Sequence, residues 1–407
     1  MPGTSVPRDT VESRQPETQA PPPTTAFAPQ RATSDGEFPA TKEPEEAFPG
    51  RHEPDAEQPK VSSALTNLYT LSCLIFFSIF GTLARLGLQA ITFYPGAPII
   101  TGVLWPNFGG SLLMGFFLED KNIFHEEWGR PKRTDDQESE KKRHTSVKKT
   151  IPLYIGLTTG FCGSFTSFSS FIRDVFLALS NDLPDPSGPT VSRNGGYSFM
   201  ALVAILIIEV GLSLAALIVG SQLALALDHI RLPLTIPFRL TRRVIDPLLA
   251  FLGIGCWIGT IFLAIFPPQG HKSWRGDAVY AIVFAPLGCL ARFYISLWLN
   301  ARVPSFPLGT FTVNILGTVI LAMCYDLQHV RGIGADVLVS CQVLQGVMDG
   351  FCGCATTVST WVAELNGLAR RFSAYVYGVV SVGVALGLFI IITGSLRWTK
   401  GFAQPVC

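Results

Sequence analysis

Gly160-Phe161-Cys162-Gly163-Ser164-Phe165-Thr166-Ser167-Phe168-Ser169-Ser170-Phe171 lies inside a charge-free, mostly apolar run over 151–172. A helix of about 20 residues crosses the hydrocarbon core of a bilayer, and this run is long enough. Yet Gly163 and five hydroxyls between Ser164 and Ser170 crowd its middle. Non-helical backbone at that depth persists only where protein or a water-filled path satisfies its polar groups. The stretch therefore reads as a broken helix whose freed carbonyls can hold a cation. A second copy strengthens the reading. Gly350-Phe351-Cys352-Gly353 repeats Gly160-Phe161-Cys162-Gly163 at an offset of 190, and Thr356, Thr357, Ser359 and Thr360 supply its hydroxyls. Small residues placed for close helix packing are the plainer alternative, and the recurrence weighs against it.

Working outward, the repeat extends further. Gly81-Thr82-Leu83-Ala84-Arg85 recurs as Gly288-Cys289-Leu290-Ala291-Arg292 at an offset of 207, and Asn107 and Gly110 recur as Asn314 and Gly317 at the same offset. Nine apolar runs are long enough to span: 65–84, 99–118, 151–172, 198–227, 247–266, 278–301, 303–325, 337–363 and 372–396. They divide as four, one and four. Four plus one is odd, so the second repeat enters from the opposite side, and the halves are inverted. Inverted repeats place a site near the bilayer midplane at their interface. The expected fold is an all-α membrane protein of two inverted four-helix repeats joined by a linker helix, with the third helix of each repeat broken. The expected segments are a cytosolic tail at 1–63, a first repeat at 64–228, a basic loop and linker helix at 229–276, a second repeat at 277–396 and a short tail at 397–407.

Composition agrees. Of 407 residues, 48% are hydrophobic and 15% charged, with a mean hydropathy of +0.36. The charges cluster: residues 1–63 hold 17 and residues 119–150 another 17 of the 61. What remains is too poor in charge for a soluble domain. A net charge of +1 without a basic face argues against nucleic-acid binding. Residues 1–63 hold 12 of the 29 prolines and no Trp, the composition of a disordered segment. The connections at 119–150 and 228–246 carry 9 and 4 Lys+Arg, which favours a cytosolic N-terminus and an extracellular C-terminus. Nine cysteines without a spaced pair read as small buried hydrophobes rather than a metal site or disulfide framework.

The polar residues inside the spans carry the chemistry. Asn107 and Asn314 each offer two amide donors. Phe168 and Phe171 lie three apart, and aromatic ring edges are electropositive; on spacing alone the simpler reading is that phenylalanine is common in membrane helices. Arg85 and Arg292, toward the ends of their helices, either draw anions into a vestibule or snorkel to the headgroups. Glu209 sits deep in its helix, where a charge is costly; a functional role and helix packing stand equally open for it.

These blocks resemble the fluoride channel family (CrcB/Fluc), and the two-repeat layout resembles its eukaryotic export branch. The resemblance covers roughly 65–396, leaving out the tail. It implies that Asn107 and Asn314 are pore donors and that Phe168 and Phe171 form the aromatic box. It implies a hydroxyl track of Thr166, Ser167, Ser169 and Ser170, matched in repeat two by Thr356, Thr357 and Thr360. It implies a structural sodium on the backbone carbonyls of Gly163, Ser164, Gly353 and Cys354, acidic vestibule positions at Asp174 and Glu364, and polar fourth-helix positions at Tyr377 and Ser381. Repeat two departs from the pattern with Val358 and Trp361 at its phenylalanine positions, and the fourth helix of repeat one shows apolar residues where Tyr and Ser are expected. The two pores are then unequal. One pairs Phe168 with Trp361, the other Phe171 with Val358, and the first is favoured as the conductor.

The implied function is passive, selective export of cytosolic fluoride through the plasma membrane by a monomer that is an internal pseudo-dimer. Its partners are fluoride and the lipid bilayer. Fluoride is small and tightly hydrated, so many weak donors in a narrow path suit it better than one fixed cation, which would trap it. A proton-coupled anion transporter using Glu209 or Asp349 is the alternative. The nine runs contain no His and no nucleophile with a base beside it, which argues against an enzyme.

Overall fold

The structure, a computed structural model, describes residues 63–124, 146–188, 192–230, 235–266 and 278–407. The expectation of a disordered tail, and most of the basic loop at 119–150, lie outside these residues. Among the described residues every regular element is helical. Repeat one consists of α1 (Ser63–Thr92), α2 (Leu104–Glu119), α3 (152–165), α4 (Phe168–Ser180) and α5 (Gly195–His229). Then α6 covers Phe238–Ile265. Repeat two consists of α7 (Tyr280–Leu299), α8 (Leu308–Gln328), α9 (338–355), α10 (Ser359–Gly367) and α11 (Arg371–Thr399).

Seven helical stretches are long and apolar enough to cross a membrane: α1, α5, α6, α7, α8, the α9–α10 pair and α11. The chain is an all-α, multi-pass membrane protein. The nine-run count is not reproduced by that measure. Helix α2 has 16 residues, about 24 Å at 1.5 Å per residue, and α3–α4 is interrupted. Large apolar side chains such as Ile207, Phe251 and Val379 are exposed on α5, α6 and α11; a face of this kind belongs against lipid rather than water. Helix α6 packs on α1 and α7, where Trp257 Nε1 donates to the Val283 carbonyl at 2.9 Å.

Both third spans break where the hydroxyls crowd. In repeat one, Thr166 (φ −94°, ψ 153°) and Ser167 (φ −144°, ψ 116°) are extended. Ser167 Oγ then caps α4 by accepting from Ser170 N–H at 3.2 Å, a role for which serine is favoured at a helix start. In repeat two the break falls at Thr356 (φ −98°, ψ 151°). Each break follows a π-helical stretch, Gly156–Cys162 and Val347–Cys352, a widened geometry that recurs at functional sites. The entrance to α3 is pinned by Lys148, which is buried and donates to the carbonyls of Phe117 and Asp120. Burial pushes its ammonium down to about 8.

The cysteine expectation needs one correction. Cys341 and Cys407 form a disulfide, which ties the C-terminal tail to the start of α9. The tail is also held by Ala403 N–H to the His329 carbonyl at 3.1 Å and by Phe402 against Tyr325. Of the other seven, Cys73, Cys162, Cys289, Cys324, Cys352 and Cys354 are buried thiols and Cys256 is exposed.

Candidate functional site

The two breaks cross each other at the centre of the molecule, and their hydrogen bonds are mirrored between the repeats. Thr166 Oγ1 accepts from Ser359 N–H at 3.2 Å, and Thr356 Oγ1 accepts from Ser169 N–H at 3.0 Å. Ser359 Oγ donates to the Cys162 carbonyl, and Ser169 Oγ donates to the Cys352 carbonyl. Asn107 Oδ1 accepts from Ser167 N–H and Asn314 Oδ1 from Thr357 N–H, both at 2.9 Å. Each bond in a pair relates to the other by the offsets of 207 and 190 read from the sequence. Thr166, Ser167, Ser169, Ser170, Thr356 and Thr357 are all buried, with Thr360 partly so. The hydroxyls form two mirrored groups, one of Thr166, Thr357 and Ser359 and the other of Ser167, Ser169, Ser170 and Thr356.

The arginines join this crossing. Arg292 is buried; its Nε donates to the Cys354 carbonyl at 2.8 Å and its Nη2 to the Thr159 carbonyl at 2.6 Å. Arg85 is buried and donates to the Asp349 carbonyl of the opposite repeat. A Cβ added at Gly163 would fall on the Arg292 guanidinium, and one at Gly353 on that of Arg85. Only glycine leaves room there. Both arginines are buried and staple one repeat to the other. Arg292 also lines a cavity of about 250 Å³ with Thr159, Ser296, Asn300, Thr357 and Thr360.

This arrangement bears on the expected sodium. Of its four carbonyls, that of Cys354 already accepts from Arg292. The guanidinium groups of Arg292 and Arg85 also lie against Gly163 and Gly353, so a cation on the expected set would sit beside two positive charges already in place.

Phe168, Phe171 and Trp361 are fully buried in one aromatic cluster. Phe168 packs edge-on against Trp361, centroids 5.3 Å apart, and against Phe171 at 5.7 Å. Trp361 lies toward α11. A Cβ at Gly378 would touch its ring, and Glu364, one turn further along α10, accepts from the Tyr377 hydroxyl of α11 at 2.7 Å. Glu364 also accepts from Thr310 Oγ1 at 2.6 Å and Asn300 Nδ2 at 3.2 Å. Ser381, a turn beyond Tyr377, is buried. Asn314, Trp361, Glu364, Tyr377 and Ser381 thus gather around α8, α10 and α11. Asp174, the matching acid of repeat one, is buried and pairs with Arg173 at 3.1 Å.

The fourth helix of repeat one also carries buried polar residues. It buries Glu209 and Ser213, whose spacing equals that of Tyr377 and Ser381. Asn107 Nδ2 donates to Glu209 Oε2 at 3.1 Å. The equivalent amide of repeat two, Asn314 Nδ2, reaches only the Thr357 carbonyl, at 3.3 Å. The shared i, i+4 spacing on the two fourth helices was the available signal for Glu209. Asn300 and Thr310 carried none. No group of three or more His, Cys, Asp or Glu placed to hold a metal occurs among the described residues.

Comparisons with known proteins agree with this layout. The family described as CrcB-like protein, Camphor Resistance (CrcB), matches two regions, residues 72–221 and 279–395, one in each repeat. Fluoride export protein 1 of Neurospora crassa is 55% identical over 376 residues, covering 86% of this chain and 71% of that protein. Fluoride export protein 1 of Candida albicans is 37% identical over 333 residues, covering 81% and 80%. The fluoride-specific ion channel FluC of Chlorobium chlorochromatii is 32% identical over 121 residues, which is 28% of this chain but 88% of that protein. No solved structure matches the chain. Two matched regions, and a bacterial relative about as long as one of them, make this chain a member of the CrcB/Fluc family, alongside the fungal fluoride export proteins.

Proposed function

We propose that the chain is a passive, fluoride-selective channel that exports cytosolic fluoride across the plasma membrane. The observation that carries this reading is the buried crossing of two broken helices, lined by hydroxyls, amides and ring edges. Such groups replace the water of a small anion without offering a full positive charge to trap it. The relatives' names supply the ion. Direction follows from acid–base chemistry: HF enters as a neutral weak acid, ionises at cytosolic pH, and the anion leaves down its gradient and the membrane potential.

In this reading nine spans form two inverted four-helix repeats, with the N-terminus cytosolic and the C-terminus extracellular. The Cys341–Cys407 disulfide supports that orientation. Both cysteines lie at the end the topology puts outside, and disulfides persist in oxidising compartments. The conducting path runs past Asn314, Phe168, Trp361, Tyr377 and Ser381, with the hydroxyls of the crossing beside it. A sodium ion on the Gly163, Ser164 and Gly353 carbonyls belongs to the same proposal as a structural element, and no step of conduction depends on it. The chain works as a monomer with an internal pseudo-dimer.

The test is fluoride efflux from liposomes holding the purified protein, with chloride as control. Rapid, valinomycin-dependent fluoride loss without chloride loss is the expected result. Efflux only under an imposed pH gradient would overturn it in favour of a proton-coupled exchanger, the reading that the Glu209 carboxylate on Asn107 favours. Glu209→Gln separates the two, because it abolishes an exchanger and spares a channel. Within the channel reading, Phe168→Ile abolishes flux and Phe171→Ile spares it; the reverse result would sink the assignment of the path.

A further inference from the structure

We propose that Glu209 acts as a tethered carboxyl group that holds the Asn107 pathway shut. The proposal rests on the channel reading above. Glu209 is buried, and its Oε2 receives the amide donor of Asn107 while its Oε1 has no partner among the described residues. The Asn107 amide is the group an incoming anion would need, and a carboxyl oxygen covalently tied to α5 already occupies it. A passing fluoride must displace that bond in a dry site, where an unmade hydrogen bond is costly.

Further along α5, helices α2 and α5 approach so closely that a Cβ at Gly115 would strike the Leu217 carbonyl, and one at Gly220 the Leu112 carbonyl. At the equivalent place in repeat two stand Tyr377 and Ser381, and Asn314 keeps only a long bond to a backbone carbonyl. The other departure from the repeat falls on the same path. By the offset of 190, Val358 and Trp361 are the repeat equivalents of Phe168 and Phe171. The pair that mirrors the Phe168–Trp361 contact is then Phe171 with Val358, one aromatic ring short, and it is assigned to the pathway of Glu209.

The experiment disables the Phe168–Trp361 path and asks whether the other opens. In a Phe168→Ile, Val358→Phe background the second ring is restored while Glu209 remains, and flux should stay at the level of empty liposomes. Adding Glu209→Ser should raise it at least about tenfold, equivalent to ~1.4 kcal/mol off the barrier. Conduction with Glu209 still present, or none after its replacement, overturns the proposal. Misfolding is controlled by Val358→Phe, Glu209→Ser with Phe168 intact. That protein should conduct at roughly twice the wild-type rate, since two paths replace one. If it conducts only at the wild-type rate while the triple variant is silent, the chain is folded and Glu209 is not the barrier. Failure of the channel reading is separate: wild-type protein would then show no fluoride flux at all.

Discussion

The Asn107 and Asn314 sides of the molecule share one backbone plan and differ in what fills it. Both asparagines accept from the backbone N–H just past a helix break at 2.9 Å. On one side the remaining amide donor meets a carboxylate, and on the other a backbone carbonyl at 3.3 Å. Phe168 and Trp361 touch edge-on, and the repeat equivalents of that pair are Val358 and Phe171. The scaffold bonds are mirrored because both repeats must satisfy the same broken backbone at a depth without water. The lining is not under that constraint. A pseudo-symmetric frame thus keeps its polar network intact while one of its two paths is free to diverge.

The sharpest way to break the comparison is the pair Phe168→Ile and Phe171→Ile. Flux losses of about a hundredfold and less than about twofold, respectively, are expected, the first worth ~2.7 kcal/mol on the barrier. Equal losses would mean that the two paths are not distinct.

The arginine staples sharpen it next. Arg292 donates to two carbonyls with good geometry, whereas Arg85 donates to one, that of Asp349, and its Nη1 is buried without a partner among the described residues. Removing a charged donor leaves a buried carbonyl unsatisfied at about 1–3 kcal/mol each. Arg292→Ala should therefore lower the thermal stability of the detergent-purified protein about twice as much as Arg85→Ala. Equal shifts would say that the mirror extends to the energetics.

A smaller effect is expected at Tyr377. Its hydroxyl is one of three donors to Glu364. Tyr377→Phe removes one bond beside the conducting path, at about 1 kcal/mol, so fluoride efflux should fall by roughly fivefold. If efflux is unchanged, the α11 side does not line the path.

Much of this was legible before any coordinates. The offsets of 207 and 190 fixed which residues are equivalent, and every mirrored bond at the crossing obeys them. The breaks were legible because hydroxyls and glycine are out of place in mid-membrane. What the sequence did not show was partnership across distance. Arg85 and Arg292 read as charges near helix ends because nothing local marks the carbonyls 264 and 133 residues away that receive them. Glu209 read as a lone acid because its amide partner is 102 residues earlier. Cys407, in a polar tail, gave no hint of Cys341, since a single disulfide has no spacing pattern.

That disulfide is also where the two repeats differ at their outer ends, and it carries the smallest expected effect. The C-terminal tail lies over the junction of α8 and α9, held by the Cys341–Cys407 bond, by two backbone hydrogen bonds to His329 and Gly334, and by Phe402 on Tyr325. Because the tail keeps these other contacts, Cys407→Ser should cost less than the usual yield of a disulfide, about 1 kcal/mol, read as a fall of a few degrees in melting temperature. The same bond reports on topology. A membrane-impermeant reductant followed by an impermeant maleimide should label Cys407 in right-side-out vesicles. The Cys341→Ser, Cys407→Ser double variant should lose that signal. Labelling only after permeabilisation would put the tail on the cytosolic side. In the proposed nine-span topology it would invert both repeats together and leave their mutual antiparallel relation untouched, since that relation depends on the number of crossings between them and not on which face is outside.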